Sequence, residues 1–316
     1  MALIKDIKKI TCVGSGLVGQ SWAAIFAING YEVILHDLSD KVLSHAKKRV
    51  KNHMDTLINA GIGINVDYKT SGIETTTDLK KALRDADFVQ ESVFESYNVK
   101  KPLYSEMDEI AQEHVIFSSS TSGLLMTEIQ TDMKLHPERS IVAHPWNPAH
   151  LVPLVEICPG IKTSKSTIDR TCQLMEDINK VPIVLKKEIE GFIANRLSAA
   201  LWREALDLVD KGVATVEDVD TAIKAGPGMR WAIMGPYLTY HLGGGKGGIE
   251  YLMRHIGVRK ADWLETMAKW TVTPESAITK AINGVNDMVG QNTTEELERW
   301  RDEHLISLYN LLWVKK

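Results

Sequence analysis

Ile10-Thr11-Cys12-Val13-Gly14-Ser15-Gly16-Leu17-Val18-Gly19 decides the fold. Four strand-forming residues run straight into a Gly-x-Gly-x-x-Gly turn, and the apolar stretch Ser21 to Ile28 behind it reads as a helix. In such a strand–turn–helix unit Gly14 permits the tight turn, Gly16 lets the backbone approach a pyrophosphate, and Gly19 lets the helix pack on the strand. The phosphates would sit at the helix N-terminus, at Leu17 and Val18, where free N–H groups and the helix dipole favour negative charge. Asn29-Gly30 is a sound C-cap, and the strand that follows ends at His36-Asp37. An acid there can accept hydrogen bonds from the adenosine ribose hydroxyls and repels a 2′-phosphate. The expected cofactor is therefore NAD rather than NADP.

Outward from this unit the pattern repeats. Val33 to Leu35, Phe88 to Val93, Val115 to Ser118, Ile141 to His144, Leu154 to Cys158 and Ile183 to Leu185 read as strands. Helix-period segments such as Asp40 to Leu57 and Val99 to Glu113 lie between several of them. Alternation of this kind predicts an α/β architecture, a Rossmann-type doubly wound, mostly parallel sheet. Near Lys186-Lys187-Glu188-Ile189-Glu190-Gly191 the strand signals cease. Beyond it Ile193 to Lys211, Val216 to Ala225, Ile249 to His255, Glu275 to Val289 and Glu295 to Trp313 read as helices, with Thr215 and Asp218 as an N-cap pair. The reading is an NAD-binding domain over residues 1–190 and an all-α domain over 191–316 for substrate binding and dimerisation.

Composition narrows the function class. The 316 residues are 44% hydrophobic and 25% charged, the balance of a globular chain rather than a disordered or collagen-like one. A net charge of −4 gives no electrostatic case for nucleic acid. Cys12, Cys158 and Cys172 form no Cys-x-x-Cys pair, which disfavours a disulfide scaffold. No His-Glu-x-x-His or Cys/His ligand spacing occurs, so no metal is expected. The opening Met-Ala-Leu-Ile-Lys reads as no secretory leader, and no apolar run suits a membrane helix. The expected location is the cytoplasm.

A second dense region carries the chemistry. Ser118-Ser119-Ser120-Thr121-Ser122-Gly123 follows a strand, and ligands of open α/β sheets bind outside the C-terminal ends of strands. Strand Ile141 to His144 then leads through Pro145-Trp146-Asn147-Pro148-Ala149-His150-Leu151-Val152-Pro153 into Leu154-Val155-Glu156-Ile157. If the two strands fold back on one another, His144 and Glu156 lie side by side. A carboxylate against an imidazole fixes the tautomer and stabilises the imidazolium, which prepares a general base for alcohol oxidation.

At these residues the chain resembles the NAD-dependent 3-hydroxyacyl-CoA dehydrogenase family, most closely its λ-crystallin branch, whose enzymatic members act as L-gulonate 3-dehydrogenase. The motifs are Val-Gly-Ser-Gly-Leu-Val-Gly at 13 to 19, Ser-Ser-Ser-Thr-Ser at 118 to 122, His-Pro-Trp-Asn-Pro at 144 to 148, Pro-Leu-Val-Glu at 153 to 156, Glu-Gly-Phe-Ile-Ala-Asn-Arg-Leu at 190 to 197 and Gly-Pro-Gly-Met-Arg-Trp-Ala at 226 to 232. The resemblance implies His144 as catalytic base, Glu156 as its partner, Ser122 as the serine on the reacting oxygen and Asn195 as a substrate-holding asparagine. It implies Glu95, Lys100 and Asn147 as cofactor contacts, and a homodimer. Ser120 and Gly123 depart from the Asn-Thr-Ser-Ser of many acyl-CoA members.

The partner expected is a small 3-hydroxy acid or a 3-hydroxyacyl-CoA, with the free acid of the L-gulonate type as the first reading. Arg230, in a stretch read as a Gly/Pro loop, offers a planar fork for the acid's carboxylate. Alternatives are a 3-hydroxybutyryl-CoA dehydrogenase and an L-carnitine 3-dehydrogenase, in which Trp146 or Trp231 would face a quaternary ammonium. A non-catalytic crystallin-like protein is a fourth, against which the intact Ser122, His144, Glu156 and Asn195 argue.

Overall fold

The computed structural model describes residues 6–63, 73–256 and 261–313; Met1 to Lys5, read above for a leader, lie outside them. The chain forms two compact units, one running to Asn195 and regaining the chain from Asp302 on, the other comprising Arg196–Arg301.

The first unit is a layered α/β structure. In chain order it contains β1 (Lys9–Val13), α1 (Leu17–Ile28), β2 (Glu32–His36), α2 (Asp40–Asn59), β3 (Glu74–Thr76), α3 (Leu79–Leu83), β4 (Phe88–Glu91), α4 (Tyr97–Ile110), β5 (Ile116–Ser119), α5 (Met126–Ile129), β6 (Ser140–Pro145), β7 (Leu154–Cys158), α6 (Lys165–Asp177) and β8 (Val181–Val184). The eight strands lie in the order β3-β2-β1-β4-β5-β6-β7-β8. All neighbours are parallel except β6 and β7, which run antiparallel with His144 directly opposite Glu156. Strand order reverses between β1 and β4, which opens the crevice where dinucleotides bind in doubly wound sheets.

Both faces of the central strands are covered, so β1, β4, β5 and β6 are buried almost throughout rather than alternating. One core packs α1, α2 and α6 against the sheet through residues such as Trp22, Phe26, Leu35 and Leu174. The other centres on Tyr104, Met107, Phe117 and Met126. In that second core the guanidinium of Arg139 is buried over the Phe117 ring and bonds Asp108 at 2.9 Å.

The expected strands and helices of this unit are present. Strand β4 stops at Glu91, two residues short of the expected end, because the Glu91 side chain takes the Val93 N–H at 2.6 Å and turns the chain out of the sheet. The three-residue edge strand β3 and the short helices α3 and α5 carry too little periodic signal to be named from sequence. Helix α6, whose Thr167, Thr171, Leu174 and Met175 form one buried face, is absent from the helices expected above although its pattern is helical. Residues 191–195 and the end of the last helix, assigned above to the helical part, pack within this first unit. Phe192 is fully buried, Leu305 and Ile306 pack on the first core, and the Tyr309 hydroxyl donates to the Asn179 carbonyl at 3.2 Å.

The helical part contains α7 (Ala194–Asp210), which begins in the first unit, then α8 (Val216–Ala225), α9 (Pro227–Ile233), α10 (Pro236–Gly243), α11 (Gly248–Tyr251), α12 (Ala261–Thr266), α13 (Glu275–Val289) and α14 (Thr294–Leu312). Thr215 and Asp218 close a full capping box on α8. The stretch read as a Gly/Pro loop around Arg230 is instead helix α9. Pro227 occupies its first turn, where the missing N–H has no partner to lose and the fixed φ suits a helix. No helix among the described residues is long and apolar enough to cross a membrane.

The buried Arg139–Asp108 pair gives the first prediction. Asp108→Ala leaves a guanidinium buried without its anion, which costs about 3–5 kcal/mol. Denaturant titration of the first unit's transition should register that loss. A change below 1 kcal/mol would show that the pair is not holding α4 to the sheet.

Candidate active site

The three glycines of the turn sit in different steric surroundings. Gly14 adopts φ +94°, donates its N–H to the His36 carbonyl at 2.9 Å, and leaves no room for a Cβ, which would meet the Ser92 carbonyl oxygen at 2.6 Å. At Gly19 a Cβ would stand 1.9 Å from the Gly14 carbonyl, so α1 can approach its own turn only with glycine there. Gly16 differs, since its missing side chain would point into open space. That space adjoins the N-terminus of α1, which no side chain caps and which begins at Leu17 and Val18. An uncapped helix N-terminus with an open approach fits a pyrophosphate.

Asp37 is organised rather than merely solvated. Its Oδ2 accepts from the Ser15 backbone N–H at 2.8 Å and the Ser15 hydroxyl at 2.6 Å, and its Oδ1 accepts from Leu38 N–H at 2.7 Å. Partial burial pushes the carboxyl up, but these hydrogen bonds outweigh it and hold Asp37 below the usual carboxylate range. A fixed negative charge therefore stands at the tip of β2.

Glu95 and Lys100 meet in a network whose centre, Glu91, sequence reading missed. Glu91 is fully buried; its Oε1 takes the Lys100 ammonium at 2.6 Å and its Oε2 takes the Ser119 hydroxyl at 2.7 Å. Lys100, expected as a cofactor contact, is 1% exposed, with its ammonium on Glu91. Glu95 stays half exposed, and its Oε1 accepts from the Thr121 hydroxyl at 2.6 Å and the Ser122 N–H at 2.7 Å. It thus fixes the serine turn that carries Ser122. The neighbouring Ser120 hydroxyl gathers Trp22 Nε1 at 3.1 Å, Gln90 Nε2 at 2.7 Å and the Ser92 hydroxyl at 2.9 Å. A glutamine or glutamate at a strand end gives no periodic signal, which is why these partners are invisible without the strand order.

The candidate catalytic pair is assembled by register. His144 and Glu156 oppose each other across β6 and β7, and His144 Nδ1 lies 2.9 Å from Glu156 Oε2. Both are buried. Trp146 Nε1 reaches the same carboxylate oxygen at 3.4 Å, while Oε1 accepts from the N–H groups of Ile193 at 2.9 Å and Ala194 at 3.0 Å. Burial raises the Glu156 carboxyl, but the bond from His144 and the two backbone bonds prevail and hold it below its ordinary range. With Nδ1 committed to the carboxylate, Nε2 is the nitrogen left to accept a proton.

Phe192 packs on the imidazole at 5.4 Å between ring centroids and holds φ +52°, a left-handed conformation that an aromatic residue adopts only when its surroundings compel it. Asn195 donates its side-chain amide to the Ser122 carbonyl at 2.9 Å, so these two expected substrate residues are joined. Asn147 is exposed in the connection between β6 and β7. Arg230 is exposed on α9 of the second unit.

A dinucleotide cradle and a carboxylate-backed imidazole on one sheet define an NAD-dependent dehydrogenase. The NAD-binding domain of 3-hydroxyacyl-CoA dehydrogenases matches residues 9–189, and the C-terminal domain of the same enzymes matches residues 191–282. The chain belongs to the 3-hydroxyacyl-CoA dehydrogenase family. It is 38% identical to an L-carnitine dehydrogenase of Oceanobacillus iheyensis, over 97% of this chain and 98% of that one. An L-carnitine dehydrogenase of Bacillus cereus is 40% identical over 97% and 93% of the two chains. Among solved structures, an NAD+-dependent 5-formyl-3-hydroxy-2-methylpyridine 4-carboxylic acid 5-dehydrogenase superposes with a TM-score of 0.84 at 27% identity, covering 98% of this chain and all of that one. The 3-hydroxybutyryl-CoA dehydrogenase of Escherichia coli gives 0.67 at 26%, covering 88% of this chain and 57% of that one.

His144→Gln removes the proton acceptor without touching the glycine turn. Turnover should fall about a hundred- to ten-thousandfold while NAD affinity measured by calorimetry stays within twofold. Near-normal turnover would end the assignment. Glu156→Gln removes the counter-charge of the imidazolium that forms on proton transfer while leaving the imidazole in place. Its kcat should fall by less than that of His144→Gln with NAD affinity kept, and an unchanged kcat would contradict the pairing.

Proposed function

We propose that this enzyme oxidises the 3-hydroxyl of a small free 3-hydroxy acid, L-carnitine first among the candidates, with His144 as base. The observation that carries the chemistry is the 2.9 Å contact between His144 and Glu156 at the strand ends. His144 Nε2 accepts the hydroxyl proton as the carbinol carbon gives up hydride, and Glu156 stabilises the imidazolium that forms. NAD, when bound through the Gly14–Gly19 turn and Asp37, supplies the hydride acceptor. Ser122 and Asn195, joined through the Ser122 carbonyl, orient the reacting oxygen. Glu95 contributes by fixing the Ser122 turn, and Asn147 by flanking the nicotinamide end.

Near-full-length likeness to L-carnitine dehydrogenases favours carnitine over the L-gulonate type of substrate that the motifs suggested first. Carnitine carries its trimethylammonium on the carbon next to the carbinol, so a cation binds close beside the base. Trp146 stands there, half-buried, with its indole N–H on Glu156. An aromatic face at that position suits a quaternary ammonium that cannot donate hydrogen bonds. Arg230 is our candidate for the acid's carboxylate.

The helical unit supports a homodimer. Its described surface carries exposed Leu197, Leu201, Trp202, Ile282 and Met288, and Leu201, Trp202, Val219, Ile223 and Val285 line an apolar groove of about 380 Å³. Leu305, although within the stretch read as the dimerisation domain, packs partly buried on the first unit's core.

The deciding experiment is NAD reduction with L-carnitine, L-gulonate, 3-hydroxybutyrate and 3-hydroxybutyryl-CoA. L-Carnitine should give the highest kcat/KM, and Trp146→Leu should raise its KM about five- to thirtyfold, equivalent to roughly 1–2 kcal/mol of cation–π contact. Preference for the CoA ester, or an unchanged KM, refutes the reading. Replacing NAD by NADP should cost a hundredfold or so in efficiency, through charge repulsion at Asp37 of a few kcal/mol. Equal use of both refutes that assignment.

A further inference from the structure

Lys180 is a buried cation with no carboxylate within ion-pair distance among the described residues. Its amine donates to two carbonyl oxygens, Ala149 at 2.6 Å and Val152 at 2.8 Å. Both belong to the connection between β6 and β7, the stretch that joins His144 to Glu156 and carries Trp146 and Asn147. That connection is otherwise tied by the N–H groups of Leu151 and Val152, which donate to the Pro148 carbonyl at 2.9 and 3.0 Å. Lys180 itself is anchored immediately before β8, whose first residue, Val181, donates its N–H to the Pro153 carbonyl at 2.8 Å.

We propose that Lys180 is a positioning residue for the dehydrogenase reaction, clamping the Ala149–Val152 turn so that Trp146 and Asn147 are held beside the His144–Glu156 pair. The proposal uses the role of that pair and not the identity of the substrate. A buried lysine without an anion is costly, and burial pushes its pKa down to about 7. The neutral form still fits, because an amine has two N–H groups and the turn offers two carbonyls. A purely apolar side chain would pack here without the desolvation penalty, but it would leave both carbonyls without their donor. Lys180 lines a small cavity together with His150, whose Nδ1 lies 3.2 Å from the Ser21 hydroxyl and whose ring lies 4.2 Å from that of His53.

The test compares Lys180→Met with Lys180→Gln in the full-length enzyme, assayed well below the melting temperature of each. Met removes both donors; Gln is shorter but keeps an NH2 group. With the best substrate of the screen, Lys180→Met should lower kcat ten- to a hundredfold while the Kd for NAD, read by calorimetry, changes less than twofold. Lys180→Gln should recover at least part of kcat. A Lys180→Met enzyme with unchanged kcat and only a lower melting temperature would overturn the proposal, because Lys180 would then serve stability alone. Equal loss of kcat in both variants would also overturn it, since donation to the turn would not be what matters. If Lys180→Met fails to fold, Lys180→Ala, which also removes both donors, takes its place under the same two outcomes.

Discussion

A carboxylate taken out of water needs a donor for each oxygen, and Glu156 meets that demand with four: His144, Trp146 and the backbone N–H groups of Ile193 and Ala194. Each donor comes from a different requirement of the fold. His144 comes from the antiparallel register of β6 and β7, Trp146 from the connection between them, and the two N–H groups from the start of α7. The negative charge at that helix N-terminus is favourable for the helix as well as for the imidazolium. One buried anion therefore couples the end of the sheet, the proposed base His144 and the start of α7. Phe192, in its left-handed conformation against the imidazole, is held where it is by this convergence.

The same logic governs the cofactor side, where Glu91 plays the corresponding part. It neutralises buried Lys100, takes the Ser119 hydroxyl and turns the chain out of β4 through Val93. Glu95, one step further out, then fixes Thr121 and Ser122. Two buried glutamates, Glu91 on β4 and Glu156 on β7, thus each organise one part of the candidate site.

Much of this was legible in the sequence. The glycine turn is readable because each glycine answers a steric demand set by a few neighbouring residues. His144 and Glu156 are readable because a short proline-bounded connection between two apolar strands suggests a pair with facing residues. What sequence could not show depends on lateral order. Glu91, Ser119 and Ser120 become partners only once β4 and β5 are adjacent, and Lys100, read as a cofactor contact, shows its burial on Glu91 only in the fold. Arg230 was placed in a loop because Gly226, Pro227 and Gly228 are loop-formers, whereas proline at a first helical position starts a helix instead. The return of the chain's last residues to the first unit, through Leu305 and Tyr309, leaves no local signal at all.

The central claim is that Glu156 fixes the tautomer of His144 so that Nε2 is the proton acceptor. Nitrogen-15 NMR of histidine-labelled enzyme at mildly alkaline pH, assigned by comparison with His144→Gln, observes that tautomer directly. The account predicts a protonated Nδ1 and a bare Nε2 on His144, with the preference lost in Glu156→Gln. A proton resident on Nε2 in the unmodified enzyme would contradict it.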